Sequence, residues 1–209
     1  MKELTLDQAR AWIAATAAAI DRNADRLGEL DAAIGDGDHG ANMTRGFASV
    51  IKKLNGTDVS DLGGLFKLVG MTLLSTVGGA AGPLYGGFFL ELGKRCLDRE
   101  QLDAAQLTAV IDNGLADIRR RGKAELGDKT MVDALAPAVA AMRDAAGEMP
   151  AVTGAAAKAA RQGALDTAPL VARKGRASYL GERSAGHEDP GANSMALLIE
   201  ALAGVCGGQ

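Results

Sequence analysis

Three carboxylates fall within eight residues in Leu30-Asp31-Ala32-Ala33-Ile34-Gly35-Asp36-Gly37-Asp38-His39-Gly40. Like charges grouped this closely repel one another, and the neighbouring glycines let the chain bend enough to bring them together, so the segment is costly unless a cation neutralises it. The donors are all oxygens and no cysteine lies nearby. That set suits hard Mg2+ better than zinc, and Mg2+ commonly completes its shell with phosphate oxygens and water. Asp31, Asp36 and Asp38 are therefore the candidate metal ligands.

Two rival readings of the same residues fail on their own requirements. Gly35, Gly37 and Gly40 match the spacing of a dinucleotide fingerprint, but that motif needs a preceding strand, and its inserted aspartates would repel a bare pyrophosphate. An EF-hand loop starting at Asp36 would put Ala41 where glycine is required and Phe47 at the last ligand position. A simpler alternative remains, a solvated acidic turn in which Asp38 caps the next helix.

A second segment, Gly78-Gly79-Ala80-Ala81-Gly82-Pro83, is rich in glycine and feeds a helix start. Backbone N–H groups exposed there can hold phosphate with help from the helix dipole, although such loops also serve as plain connections. A third, Lys174-Gly175-Arg176-Ala177-Ser178-Tyr179-Leu180-Gly181-Glu182-Arg183 through His187-Glu188-Asp189-Pro190-Gly191, is polar, irregular and dense in charge. It reads as a lid or ligand loop, or else as a mobile surface connection.

The elements that must position these loops read as helices. Thr5 and Gln8 have capping-box spacing, and Ala9, Trp12, Ile13, Thr16, Ile20, Ala24 and Leu27 continue at three- and four-residue steps, predicting one long first helix. Met43, Phe47, Val50, Ile51 and Leu54 repeat the pattern up to a stop at Asn55-Gly56. Leu62, Leu65, Phe66, Val69 and Leu73 begin another stripe, and Pro83 suits the first turn of a helix carrying Leu84, Phe88, Phe89 and Leu92. Alanine-rich stripes over 103–121, 129–146, 151–173 and 191–206 bring the expected number to eight. No alternating segment is long enough to build a sheet, and no repeat or linker divides the chain. The expected fold is all-α, a single-domain bundle or barrel of eight antiparallel helices spanning 1–209.

Composition narrows the function. A chain of 209 residues with 47% apolar residues can bury a core without staples, so the distant Cys96 and Cys206 do not argue for a disulfide, and a reducing, cytoplasmic setting is the simpler reading. Met1-Lys2-Glu3-Leu4 leads into charged, amphipathic sequence unlike a secretion signal, and no stretch is long and apolar enough to span a membrane. A net charge of −3 and 3% aromatic residues argue against nucleic acid as a partner. The basic run Arg119-Arg120-Arg121 with Lys123 reads as a solvated helix face.

Taken together and in order, Asp31-x4-Asp36-Gly37-Asp38-His39-Gly40-x-Asn42-Met43, Gly78-Gly79-Ala80-Ala81-Gly82-Pro83-Leu84-Tyr85-Gly86, Gly127-Asp128-Lys129-Thr130-Met131, and Lys174 through Ser184 to Asp189-Pro190-Gly191 resemble the nucleotide-binding L subunits of dihydroxyacetone kinases. The resemblance spans almost the whole chain. It implies a barrel of eight antiparallel helices with ADP or ATP at one end, and two Mg2+ ions held by Asp31, Asp36 and Asp38. By the same resemblance His39, Gly40, Ala41, Asn42, Ala80, Ala81, Gly122, Met131, Arg176, Asp189, Pro190 and Gly191 surround the nucleotide.

One departure stands out: Ala81 occupies a position where members of this family often carry a hydroxyl, so the phosphate contacts of this loop fall to backbone donors. The resemblance also implies a partner. The histidine that binds the ketone covalently belongs to a separate K subunit, and neither His39 nor His187 lies in a segment matching it. The phosphate donor expected is a phosphohistidine-carrying phosphotransferase protein that recharges resident ADP, with ATP from solution as the alternative. A kinase for another short ketose such as erythrulose, a nucleotide sensor acting on a transcription regulator, and a homodimer are the remaining alternatives.

Overall fold

The chain enters its first helix at Thr5, whose Oγ1 accepts the Gln8 N–H at 3.4 Å while the Gln8 side chain accepts the Thr5 N–H at 2.9 Å, closing the expected capping box. The structure, a computed structural model, describes residues 2–207; Met1 and the last two residues lie outside it. Among the described residues there are nine α-helices: α1 (Leu6–Arg22), α2 (Ala24–Ile34), α3 (His39–Asn55), α4 (Leu62–Thr76), α5 (Ala81–Arg95), α6 (Ala104–Gly122), α7 (Val132–Asp144), α8 (Met149–Leu165) and α9 (Pro190–Gly207). A 3-10 helix spans Arg176–Ser184. The antiparallel strands β1 (Glu3–Thr5) and β2 (Gln101–Asp103) pair Leu4 with Leu102, both buried, just ahead of α1 and α6.

The all-α class expected from the sequence is the class observed. The long first helix, however, is divided at Asn23, which makes α1 and α2 of a single predicted stripe. Asn23 turns its side-chain amide onto the Ala19 carbonyl at 2.8 Å, a local bond that competes with continued helix, and its backbone lies outside the helical well. The stripe read over 151–173 also stops early, at Leu165. Pro169 lacks an N–H and disfavours helix at Ala168, and the Thr167 hydroxyl closes back on the Ala164 carbonyl at 2.5 Å.

From α3 to α9 each helix packs on the next, and α1 packs on both α3 and α9, so eight helices close a ring while α2 lies against α3 and α9. The core inside it is continuous from Leu4 to Cys206. Trp12 anchors it, edge-on to Phe66 at 5.9 Å and tilted against Phe89 at 6.1 Å, with its indole N–H on the Leu198 carbonyl at 2.8 Å. Cys96 and Cys206 are buried, free thiols, as the composition suggested.

Alternation of direction has one consequence for function: α3, α5, α7 and α9 all begin at the same end of the ring. The loop from α2 to α3 is drawn in tightly at that end, because Gly40 brings α3 against α2. A Cβ at Gly40 would stand 2.0 Å from the Ala24 carbonyl oxygen and 3.0 Å from the Gly28 nitrogen, both backbone atoms that cannot yield easily. We therefore expect Gly40→Ala to destabilise the protein by about 1–3 kcal/mol, as overpacking does, with a fall of roughly 2–4 °C in Tm per kcal/mol. Thermal melts check this, and an unchanged Tm would contradict the close approach of α2 and α3.

Candidate functional site

The acidic loop folds around Asp31. One oxygen of its carboxylate accepts two backbone N–H groups, from Asp38 at 2.9 Å and His39 at 3.1 Å, which satisfies donors at the start of α3. Its other oxygen passes so close to Gly35 that a Cβ there would be 2.2 Å away, and Gly37 completes the turn with φ of +77°. The outcome is a cluster in which oxygens of Asp31, Asp36 and Asp38 lie within 4.8 Å of one another. The simple capping alternative does not hold, since the Asp38 side chain makes no cap hydrogen bond. An all-carboxylate donor set of this kind fits a hard divalent cation.

Arg176 is the nearest counter-charge, its guanidinium 3.0 Å from the Asp36 carboxylate. It belongs to the 3-10 helix, which is fastened rather than loose: Ala177, Ala172 and Ile34 form a small apolar cluster with Leu180 against it, and the buried Ser184 hydroxyl accepts the Ala172 N–H at 2.8 Å. The charged segment thus stands over the acidic loop as a fixed cover.

Above these carboxylates opens a cavity of about 260 Å3. Its wall takes in the first residues of four helices, His39 of α3, Ala81 of α5, Val132 of α7 and Pro190 of α9. Each contributes the positive end of a helix dipole, which favours anionic groups, while the four aspartates of the lining oppose them unless a cation neutralises the carboxylates. At α5 the cap residue is Ala80, without a side-chain cap bond, and Gly79 turns the chain with φ of +63°. Ala80 and Ala81 therefore offer backbone N–H groups and methyls. Ile34, Leu84, Ile118, Ala124 and Met131 supply apolar surface to the same cavity.

Of the residues expected around a ligand, His39, Asn42, Ala80, Ala81, Gly122, Met131, Arg176, Asp189, Pro190 and Gly191 all line the cavity, together with Asp31, Asp36 and Asp38. Gly40 and Ala41 do not. Gly40 is buried in the contact with α2, and Ala41 faces outward from the first turn of α3. The basic run on α6 is only partly a solvated face, since Arg120 and Arg121 both bind the buried Asp117 carboxylate.

Several residues that matter here gave no periodic signal. The His39 ring nitrogen Nε2 lies 2.8 Å from the Ser194 hydroxyl, which is 2.7 Å from the Tyr85 hydroxyl, linking α3, α9 and α5 by side chains alone. Burial pushes the His39 pKa below its ordinary value, with the Asp31 and Asp38 charges opposing. Asp133 accepts the Gly127 N–H at 2.6 Å and the Thr130 N–H at 2.7 Å, pinning the turn before α7. The Thr130-x-x-Asp133 spacing of a capping motif could have revealed that turn.

The fold and site together define an all-helical protein with a carboxylate cluster at a cavity walled by four helix N-termini. Residues 33–204 match the family model described as the DAK2 domain. The chain is 46% identical over 196 residues to the ADP-binding subunit of PEP-dependent dihydroxyacetone kinase 1 of Listeria innocua, covering 94% of each. It is 45% identical over 200 residues to the ADP-binding subunit of the PTS-dependent dihydroxyacetone kinase of Lactococcus lactis, covering 95% of this chain and 97% of that one. Among solved structures, the dihydroxyacetone kinase of C. freundii in complex with AMP-PNP and Mg2+ superposes with a TM-score of 0.72 at 30% identity, over 92% of this chain and 32% of the longer one. The chain belongs to the DAK2 domain family.

Asp189 gives the site a measurable pH signature. Burial raises its carboxyl to about 7, with the Asp133 and Asp31 charges acting the same way and the Ala192 N–H and Lys129 acting against them. A carboxyl whose folded pKa lies above its unfolded value stabilises the fold fully below the unfolded value, near 4, and that contribution is lost as pH rises toward 7. In metal- and nucleotide-free protein, Asp189→Asn keeps an acceptor for the Ala192 N–H but cannot ionise. Melting curves from pH 4 to 8 should then show the variant losing less stability than the parent over that interval, whereas parallel curves would mean that Asp189 does not titrate there.

Proposed function

We propose that this chain is the nucleotide-carrying subunit of a dihydroxyacetone kinase, holding ADP or ATP with Mg2+ and passing the terminal phosphate to a short ketose on a separate K-type subunit. The observation that carries the reading is the cluster of Asp31, Asp36 and Asp38 at a cavity walled by four helix N-termini. End-to-end similarity to ADP-binding kinase subunits supports it, as does the AMP-PNP and Mg2+ named for the C. freundii kinase.

In this reading the three aspartates are metal ligands and not proton acceptors. Two Mg2+ ions, when bound, supply charge neutralisation and orientation of the phosphate oxygens, which is most of what phosphoryl transfer needs from an enzyme. The chain's own part is positioning. Backbone N–H groups at Ala80, Ala81 and Gly191 would be available to anionic oxygens, and Leu84, Ile118 and Met131 would offer apolar surface to the base and sugar. His39 and Asn42 would supply polar groups at the start of α3. Arg176, paired with Asp36, adds positive charge at the phosphate end and closes the cover over it.

The ketone site is assigned to the partner. The matching part of the C. freundii kinase is about a third of its length, which supports a division of labour between this chain and a ketone-binding one. The PTS-dependent relative supports an external phosphoprotein as the donor, with ADP kept as a resident cofactor and recharged in place. Among the described residues no helix is long and apolar enough to cross a membrane. A cytoplasmic setting and a single nucleotide-binding domain are part of this proposal, supported by the end-to-end similarity to kinase subunits.

Asp36→Asn tests the metal assignment. It removes one ligand and the Arg176 ion pair, so MgADP affinity should fall at least tenfold while the helical circular dichroism survives. Isothermal titration showing unchanged affinity in the folded variant would sink it. The division of labour has its own check: mixed with a K-type subunit, phosphotransferase proteins and dihydroxyacetone, the chain should support ketose phosphorylation, and alone it should not. Turnover by the chain on its own would overturn that part.

A further inference from the structure

Lys129 is the most deeply buried cation beside the cavity, and the chemistry above gives it no task. It has no exposed surface and sits at φ of +63°, a conformation that is unfavourable for a non-glycine residue and persists only where the surroundings hold it. Its Nζ lies 2.9 Å from the Thr167 carbonyl oxygen, 3.0 Å from that of Leu170, 2.5 Å from that of His187 and 3.4 Å from that of Ala168. Carbonyls can only accept. An ammonium offers three donors to these four acceptors and a neutral amine two, so the charged form is the one that fits. Burial lowers the Lys129 pKa, and the neighbouring Asp189 and Asp133 charges resist that shift.

A cage of backbone carbonyls is also how proteins strip and hold a bare monovalent cation. Here the four carbonyls come from two separate pieces of chain. Three belong to the turn after α8, where Pro169 has ended the helix, and the fourth belongs to His187, two residues before Asp189. The same two pieces are stitched by the Gly186 N–H on the Ala168 carbonyl at 2.7 Å and the Asp189 N–H on the Thr167 hydroxyl at 2.8 Å. Lys129 lines the cavity together with Thr130 and Met131, as do Asp189, Pro190 and Gly191. With no cation in the cage, these carbonyls would be left desolvated and facing one another.

We propose that Lys129 is a positioning residue, a tethered monovalent cation that locks the Thr130-Met131 and Asp189-Pro190-Gly191 segments into the register that binds nucleotide. The proposal rests on the reading of the cavity as a nucleotide site. Lys129→Ala empties the cage and leaves room for a small ion. Lys129→Met fills it with an uncharged stem.

In sodium buffer both variants should bind MgADP at least tenfold more weakly than the parent. At equal ionic strength, ammonium or methylammonium should restore most of the affinity of Lys129→Ala, while tetramethylammonium should not, and Lys129→Met should recover in neither. Amide hydrogen exchange at Gly186 and Asp189 should follow the same order. If Lys129→Ala does not fold in sodium, the recovery is read from its helical signal instead. Unchanged affinity in a folded variant, no recovery of Lys129→Ala in ammonium, or equal recovery of Lys129→Met would each overturn the proposal. A parent protein that binds no MgADP would sink the nucleotide reading, and the exchange rates would then decide on the clamp alone.

Discussion

Three carboxylates with oxygens inside 4.8 Å of one another are an electrostatic debt that the rest of this end of the molecule is arranged to meet. Like charges at that spacing drive protonation or separation unless opposite charge is supplied. Separation is blocked, because Asp31 is tied to the backbone of Asp38 and His39 and the loop is threaded through Gly35 and Gly37 with no space for larger residues at Gly35. Opposite charge comes from Arg176 and from the helix N-termini around the cavity. A divalent cation would complete what these partial charges begin.

The up-and-down ring follows from that requirement as much as from core packing. A bundle whose helices alternate in direction puts half of its N-termini at each end, and here four of those at one end open on a shared cavity. The apolar interior does not discriminate between ends, since Trp12, Phe66 and Phe89 would pack equally well under any cap. Polarity is set by the connections. Short loops rich in glycine let the backbone approach a ligand, and the longer connection from α8 to α9 doubles as the cover carrying Arg176 and Asp189.

Much of this was legible in the sequence, for physical reasons that can be named. Helical stripes were readable because burial on one face repeats every three to four residues, and the acidic loop was readable because clustered carboxylates need an explanation. The Asn23 break was not, because an asparagine inside a continuous apolar stripe looks like an ordinary exposed position until its side chain is seen on the Ala19 carbonyl. Gly40 is tied to the ligand by resemblance, and the fold shows it packed closely on α2 as well, a role that spacing alone does not reveal. Lys129 was hidden for a different reason. Its place at the head of an expected helical stripe gives no sign of burial, and only tertiary structure could bring four carbonyls from positions 38 to 58 residues away onto its ammonium.

Left-handed backbone is frequent around the same end. Gly37, Gly79, Lys123, Gly127, Lys129, Gly175 and Gly181 have positive φ in the segments that border the cavity or its cover, while Asp98 and Gly147 have it elsewhere. Two of them are lysines, for which that conformation is unfavourable. A backbone held this way is stable only if bonds over-determine it, and three of the border segments have them: Asp133 on the turn before α7, Ser184 on the cover, Lys129 beneath the last loop. The free energy spent on holding the border in place is recovered when a ligand enters a site that needs no further ordering. Ala81 fits the same logic. With no hydroxyl to reach for a phosphate, that loop can contribute only through N–H groups whose directions the fold has already set, so its contribution depends wholly on the rigidity of the turn at Gly79 and of the start of α5.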